Sequence, residues 1–237
     1  VTKAISKEEA KQIQEYADDL VKFGETSLKL FKNVVLGNKE YVDIITNKDL
    51  YYNETYHMGL VNDKNQLEFH DGKVRVVDND RKQVDLYDPA DYLDHIAEAD
   101  EPWTYEKFPY LRKYGYKGLV PGKDSGMYRA SPLSRLNVCE SISTPEANDA
   151  LKEYRDLFKS FGVTGSVQFT LATHYARIIE LLYASEKLKE DAYSDKLLDQ
   201  NIKQHDLVPG GRGVGCVEAP RGTLTHDYVC DENGIVT

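Results

Sequence analysis

Residues 210–230 read GGRGVGCVEAPRGTLTHDYVC, and the fold prediction starts from this glycine-rich stretch. Within it, residues 218–222 place a carboxylate, a rigid proline and a guanidinium in the order EAPRG. Pro220 has a fixed φ and restricts Ala219 to extended conformations, so Arg221 is presented on a stiff backbone. Two interpretations are open: a loop that positions Arg221 for function, and a strand-entry turn with a surface arginine.

The composition is that of an ordinary soluble globular protein. With 237 residues, of which 41% are hydrophobic and 30% charged, the chain can bury a sizeable core. The net charge of −10 argues against nucleic acid partners, since no basic stripe is available to neutralise phosphates. No apolar run is long enough to span a membrane, and the N-terminal residues lack a signal-peptide core. Three dispersed cysteines, Cys139, Cys216 and Cys230, are typical of reduced thiols, so we expect a cytoplasmic protein.

Helical periodicity covers much of the chain. A capping box of Ser6 and Glu9 predicts a first helix, which should end before Gly37. A second helix is predicted over residues 144–162. The broadest apolar face belongs to residues 166–190, which we expect to form the most buried element. Shorter helical segments are predicted at residues 41–46, 88–96 and 197–203.

Strand patterns occupy two smaller regions. Between residues 55 and 87, short alternating runs separated by Asp, Asn and Gly predict an antiparallel β meander. Residues 223–229 and 235–236 flank the turn sequence DENG and predict a C-terminal hairpin. The segment 101–138 has no period, and its many aromatic residues predict an ordered crossing loop. We therefore predict one mainly helical α+β domain over residues 1–237, with the small meander to one side.

Polar side chains in these elements are first interpreted as structural. Arg129 and Arg135 have two interpretations: they tie the aperiodic segment to backbone carbonyls and carboxylates, which we favour, or they support the residues of a functional site. His174, Arg177 and Glu180 lie on neighbouring turns of one predicted helix, a spacing typical of structural ion pairs.

Several segments resemble the large subunit of nickel–iron hydrogenases. The pattern G-x-G-x-x-E-A-P-R-G-x-L-x-H, from Gly213 to His226, is similar to the signature of that family. HYARIIE at residues 174–180 resembles a second family segment, and SPLSRLN at residues 131–137 resembles the loop G-P-L-A-R-x-N, with serines replacing Gly and Ala. The aromatic segment PWTYEKFPYL, residues 102–111, resembles the cytoplasmic, methyl-viologen-reducing branch. Together these segments span nearly the whole chain in the order of the family.

The resemblance implies a nickel–iron centre in the full-length protein, where two C-x-x-C pairs supply four cysteinates. Neither pair is present in this chain, and its three cysteines do not have the spacing of a thiolate site. We therefore expect the chain to correspond to the central part of the large subunit. By itself, it is expected to bind no metal and to be inactive.

The resemblance also implies roles for individual residues. In the family, the arginine of EAPRG lies above the metal centre and the adjacent proline packs against diatomic ligands of the iron, which places Arg221 and Pro220 in the catalytic site. Glu218 is expected to orient the loop by accepting hydrogen bonds from backbone N–H groups, and His226 to be a hydrogen-bonded strand residue. The implied substrate is dihydrogen, and the implied partner is an iron–sulfur small subunit that receives the electrons.

Two other functions fit part of the sequence. The quinone-site subunit of respiratory complex I shares the family fold and an EAPRG-like loop without nickel, and the missing cysteines would suit it. The segments HYARIIE and PWTYEKFPYL favour the hydrogenase instead. A third possibility is a metal-free scaffold module that uses the tyrosine-rich segment 101–138 as an interface.

Overall fold

The structure is a computed structural model that describes residues 3–122, 124–203 and 208–237. Its helices are α1 (Lys7–Phe31), α2 (Lys39–Ile45), α3 (Tyr92–His95), α4 (Pro132–Val138), α5 (Pro145–Ser160) and α6 (Thr173–Ala192). Its strands are β1 (Tyr56–Val61), β2 (Lys73–Val77), β3 (Gln83–Tyr87), β4 (Ile96–Asp100), β5 (Lys107–Leu111), β6 (Tyr128–Ala130), β7 (Gly211–Glu218) and β8 (Thr223–Cys230). The predicted α+β class is confirmed. None of the described helices is long and apolar enough to cross a membrane.

The predicted start of α1 is confirmed by its capping box. The Ser6 hydroxyl accepts a hydrogen bond from the Glu9 N–H, and the Glu9 carboxylate accepts one from the Ser6 N–H. The helix continues as a π-helical turn, Lys32–Leu36, and ends at Gly37 as predicted. α1 packs along α6 at Gly24, where a Cβ atom would lie only 3.2 Å from the Leu182 side chain.

The predicted meander is confirmed as β1, β2 and β3, which pair in antiparallel order. The predicted run around Leu67 makes two isolated bridges, Leu67 with Val61 and Gln66 with Ser141, and forms no strand. Sequence reasoning missed β6, which pairs in parallel with β1 and completes a sheet of order β3-β2-β1-β6. β6 has only three residues, too few for a strand pattern to be recognised.

The most buried elements are β1 and α4, in which every residue is buried. The prediction that residues 166–190 form the most buried element is therefore wrong. α6 begins only at Thr173, and eight of its 20 residues are buried. α4 lies within the segment that was predicted to be an aperiodic loop. Because this short helix covers β1 and is buried on all sides, its sequence shows no amphipathic period.

The predicted helix over residues 88–96 is only partly correct. A short 3-10 turn, Pro89–Asp91, leads into the four residues of α3, and Ile96 already begins β4. β4 pairs with β5 in an antiparallel hairpin, so pairing between distant residues overrides the local helical pattern. The predicted helix over residues 144–162 is confirmed as α5, and Gly162 has a φ of 83° just beyond its end.

The C-terminal hairpin differs from the predicted one. β8 pairs along its whole length with β7, which contains the glycine-rich stretch. The predicted pairing of residues 223–229 with 235–236 is reduced to one bridge, between Cys230 and Val236. Likewise, the predicted helix at 197–203 is a 3-10 turn, Asp195–Leu198. The segment EAPRG is therefore the turn of a β hairpin, which places Arg221 at a hairpin tip.

Candidate active-site turn

The β7–β8 turn is closed by a backbone hydrogen bond and is seated on the core sheet. The Ala219 N–H donates to the Gly222 carbonyl over 2.8 Å. Gly222 lies against the end of β6, where a Cβ atom would come within 2.5 Å of the Ala130 carbonyl oxygen. Only glycine permits this contact without movement of one backbone, so residue 222 fixes how closely the turn approaches the sheet.

Glu218 anchors the first end of the turn. Its side chain is fully buried, and one carboxylate oxygen accepts a hydrogen bond from the Leu60 N–H in β1 over 2.7 Å. The Thr223 hydroxyl donates to the same carboxylate, and the Glu218 N–H donates to the Phe69 carbonyl over 2.6 Å. Burial raises the pKa of Glu218, while the Arg135 charge and the Leu60 N–H act in the opposite direction. The predicted role of Glu218 as an acceptor of backbone hydrogen bonds is confirmed.

Arg135 of α4 connects the turn with α6. Its Nε and Nη2 atoms donate to the two carboxylate oxygens of Glu180 over 2.6 and 2.8 Å. Its Nη1 atom donates to Glu218 over 2.9 Å and to the Ala219 carbonyl over 3.0 Å. Burial alone would lower the pKa of Arg135, but the hydrogen bonds with Glu180 and the carboxylate charges raise it. The arginine is thus held as a cation between two carboxylates.

Arg177 supports the other side of the turn. It is exposed on α6, and its Nη1 atom donates to the Pro220 carbonyl over 3.1 Å. The ion pair predicted within the triplet of His174, Arg177 and Glu180 is absent from the described residues. Glu180 pairs with Arg135 instead. Arg177 and His174 also border an open apolar pocket of about 530 Å³ between α1, α2 and α6.

The two predicted catalytic-site residues lie side by side at the exposed tip of this turn. Pro220 is held through its carbonyl by Arg177, whereas no hydrogen bond or ion pair connects the Arg221 side chain to any residue that the structure describes. His226 lies on β8, exposed, with its Nδ1 atom 2.9 Å from the Tyr228 hydroxyl. It is therefore the hydrogen-bonded strand residue that was predicted.

Arg135 lies at the centre of this cluster, a position close to the alternative interpretation that the sequence did not favour. The prediction that it ties its segment to carboxylates is confirmed, but nothing in its own segment indicated that both carboxylates come from other family-like segments. Residues 131–137, 174–180 and 218–222 meet at this one guanidinium. The resemblance of all three segments to one family was the signal that could have indicated their contact. Arg129, by contrast, donates only to the Asn53 carbonyl and the Thr170 hydroxyl.

The cysteines do not fit a centre of four cysteinates. Cys139 lies in the core, where burial raises the pKa of its thiol to about 11. Burial also raises the pKa of Cys216 on β7. Within residues 3–122, 124–203 and 208–237, no group of three or more His, Cys, Asp or Glu side chains could hold a metal ion. The described residues can therefore supply groups beside such a centre but not its ligands.

Comparison with known proteins identifies relatives along the whole chain, although no protein-family model matches it. The chain is 36% identical over 236 residues to the iron-sulfur subunit of an F420-non-reducing hydrogenase from Archaeoglobus profundus, covering 100% of this chain and 47% of the relative. It is 38% identical over 243 residues to the corresponding F420-non-reducing hydrogenase polypeptide of Methanothermobacter thermautotrophicus, covering 100% of this chain and 46% of the relative. The beta subunit of the NAD-reducing hydrogenase HoxS from Cupriavidus necator is 37% identical over 227 residues, which cover 93% of this chain and 42% of the relative.

Solved structures agree with the sequence relatives. An NAD+-reducing [NiFe]-hydrogenase in the H2-reduced state superimposes with a TM-score of 0.82 at 27% identity, covering 100% of this chain and 49% of that chain. A [NiFeSe]-hydrogenase of Dm. baculatum has a TM-score of 0.57 at 15% identity, covering 100% of this chain and 50% of that chain, which indicates a shared fold. These comparisons favour the hydrogenase over the complex I relative or the scaffold module. The chain spans about half the length of the curated relatives it matches, and along its own length it is similar to the large subunit of nickel–iron hydrogenases.

Proposed function

We propose that this chain is the part of a hydrogenase large subunit that holds Arg221 and Pro220 beside a nickel–iron centre, whose cysteine ligands lie elsewhere in the subunit. The proposal rests on a difference within the β7–β8 turn between its fixed backbone and its unpaired side chain at the tip. Its base is fixed by Arg135 and Arg177, while the Arg221 guanidinium at its tip is exposed and has no partner among the described residues. A turn with a fixed backbone and an unpaired charged side chain is suited to contact a group that lies outside the described part of the chain.

The role assigned to Arg221 is electrostatic. A guanidinium is a permanent cation with rigidly placed donors, so it can hydrogen-bond an anionic group and stabilise negative charge that develops beside it. Because Pro220 has a fixed φ and Gly222 is seated against Ala130, the backbone at Arg221 is positioned before the reaction begins. Pro220 contributes a rigid apolar surface next to the guanidinium. The proposal assigns no bond-breaking step to residues of this chain.

The remaining parts of the activity follow from the family relationship. In the complete enzyme, the substrate is dihydrogen, and its electrons pass to iron–sulfur clusters of a small subunit. We propose that the chain contributes a single domain to the large subunit of such a complex. The three free thiols of the described residues support the proposal of a cytoplasmic location.

The test is the substitution Arg221→Lys in a complete large subunit that contains this sequence, assembled with its small subunit. Lysine keeps the positive charge but loses the planar fork. The expected result is a loss of dihydrogen oxidation of about 100-fold, the scale of removing one preorganised donor, with unchanged nickel and iron content.

Arg212→Lys is the matched control, because Arg212 lies on the same hairpin and pairs with Asp227 away from the turn. This control should retain the parent activity and metal content. If Arg221→Lys also retained the parent activity, Arg221 would have no part in catalysis and the proposal would be wrong.

A further inference from the structure

Four buried polar atoms near one side of the core sheet have no hydrogen-bond partner among the described residues. They are Thr55 Oγ1, His57 Nε2, Arg129 Nη1 and Tyr154 Oη. Among the described residues, the only other atom of this kind is in Asp18, whose carboxylate takes part in an ion pair with Lys189. Buried polar groups in folded proteins nearly always have partners, so a cluster of unpaired ones requires an explanation.

The fold places these four residues in one region. Thr55 and His57 are two positions apart along the extended chain at β1 and therefore face the same side of the sheet. Arg129 is the partner of His57 in the parallel pairing of β1 with β6. Tyr154 comes from α5 and belongs to the core that includes α4, which covers the same side of β1. Thr55, His57 and Tyr154 are each at most 3% exposed.

The hydrogen bonds that these residues already make identify which of their polar atoms remain unpaired. The His57 Nδ1 atom lies 3.1 Å from the Ser134 hydroxyl, so Nε2 is the ring nitrogen without a partner. The Nη2 atom of Arg129 donates to the Asn53 carbonyl and the Thr170 hydroxyl, both neutral acceptors. No carboxylate of the described residues pairs with Arg129, and its Nη1 atom remains an unused donor.

The protonation of His57 agrees with this geometry. Burial and the nearby Arg129 charge lower the pKa of His57 to about 3, so its imidazole is neutral at physiological pH. The neutral ring has one donor and one acceptor nitrogen, and the direction of the bond between Nδ1 and the Ser134 hydroxyl decides which of these Nε2 is. The region therefore contains a charged donor at Arg129, a neutral ring nitrogen at His57 and two hydroxyls that can donate or accept.

We propose that this region binds ordered internal water between β1, β6 and α5. A water molecule can accept from Arg129 Nη1 and bond His57 Nε2, which belong to neighbouring positions of paired strands, and the hydroxyls of Tyr154 and Thr55 offer further hydrogen-bonding groups. The site extends a hydrogen-bonded chain that already runs from the Ser131 hydroxyl through Ser134 to His57. Water fits the mixed groups of this region, because a water molecule can accept from Arg129 and can either donate to or accept from His57 Nε2.

The first test compares Tyr154→Phe with Tyr175→Phe by urea denaturation. The two rings pack in a T-shaped arrangement with their centroids 5.3 Å apart, but of the two only the Tyr154 hydroxyl is a buried atom without a partner among the described residues. If water bonds this hydroxyl, Tyr154→Phe should increase the unfolding equilibrium constant about 3- to 10-fold, and Tyr175→Phe should change it much less. A Tyr154→Phe protein as stable as the parent, or more stable, would overturn the proposal, because removing a truly unpaired hydroxyl carries no loss.

The second test does not depend on substitution. A crystal structure of the chain, at a resolution that shows ordered solvent, should contain a water molecule within hydrogen-bonding distance of His57 Nε2 or Arg129 Nη1. Density without such a water would contradict the proposal. A crystal soaked in bromide distinguishes the alternative ligand, since an anomalous bromide peak beside Arg129 would show that the site takes an anion.

Discussion

Arg135 and Glu218 lie 83 positions apart in the chain, and their side chains meet at 2.9 Å beneath the β7–β8 turn. Both side chains are almost completely buried, and Glu180 completes the cluster from α6. The position of the turn is therefore coupled to α4 and α6 by one guanidinium. A buried ion pair compensates for the lost solvation of its charges only when its geometry is good and its hydrogen bonds are complete. The main effect of this cluster is therefore to fix the positions of the turn, α4 and α6 relative to one another.

The first prediction concerns the cost of breaking that cluster. Arg135→Ala would leave the carboxylates of Glu180 and Glu218 buried without a counter-charge, and should lower the free energy of unfolding by about 3–5 kcal/mol. Urea denaturation of the purified chain measures this loss. Arg135→Lys should also be destabilising, because an ammonium cannot reproduce the bidentate contact with Glu180.

The matched control is Arg212→Ala on the hairpin surface. Arg212 makes an equally good bidentate contact, with Asp227 over two distances of 2.9 Å, but it is exposed. Its loss should destabilise the chain much less than the loss of Arg135, because solvent screens an exposed ion pair. Equal effects of the two substitutions would show that burial does not determine the importance of Arg135.

Local sequence signals predicted those parts of the fold that local forces determine. The capping box of α1 and the glycine after α5 are encoded within a few residues, and both are present in the structure. The meander was predictable because its turn residues alternate with apolar runs. By contrast, α4 is buried on all sides, and its seven residues show no periodicity to recognise.

The candidate site could be predicted only in part, for a related reason. The turn sequence identified Arg221 and Pro220, since a proline next to an arginine stiffens the backbone locally. The hydrogen bonds that hold the turn in place depend on contacts between residues far apart in sequence, such as Arg135 with Glu180. A single sequence shows that these residues can form ion pairs but not which partner each one has. The β7–β8 pairing was missed because glycine residues obscure the strand pattern in β7.

A second prediction tests how closely the turn is seated on the sheet. Gly222→Ala should destabilise the chain by about 1–3 kcal/mol, because the new Cβ atom would lie 2.5 Å from the Ala130 carbonyl oxygen. Gly215→Ala is the control on the same hairpin, since nothing lies within 4 Å of a Cβ atom there. It should be close to neutral. Thermal or urea unfolding of the two variants provides the comparison, and a neutral Gly222→Ala would mean that the turn can move away from β6 at no cost.

A third prediction concerns metal content and thiol reactivity. The isolated chain should contain far less than one equivalent of nickel or iron after dialysis against a chelator, as measured by elemental analysis. A disulfide reagent at neutral pH should modify Cys230 first, because Cys139 and Cys216 are buried and burial raises the pKa of both thiols. Nickel near one equivalent would reveal a site that the described residues do not show.

The last prediction concerns the contribution of His57 to the stability of the folded chain at low pH. Its ordinary pKa of 6.5 applies to the unfolded chain, whereas burial and the Arg129 charge lower the pKa to about 3 in the folded state. The unfolded state therefore binds a proton first as the pH falls. The stability that His57 contributes is complete above pH 6.5 and is lost progressively as the pH falls toward about 3.

The slope of that loss should be about 1.4 kcal/mol per pH unit for one proton. Free energies of unfolding measured from about pH 7 to about pH 5 avoid most of the carboxylate titration. In that window the parent chain should lose stability with falling pH, and His57→Gln should lose less, because glutamine does not titrate. If both proteins showed the same pH dependence, the imidazole would be protonated as easily in the folded chain as in the unfolded one. That outcome would also contradict the neutral imidazole in the proposed internal water site.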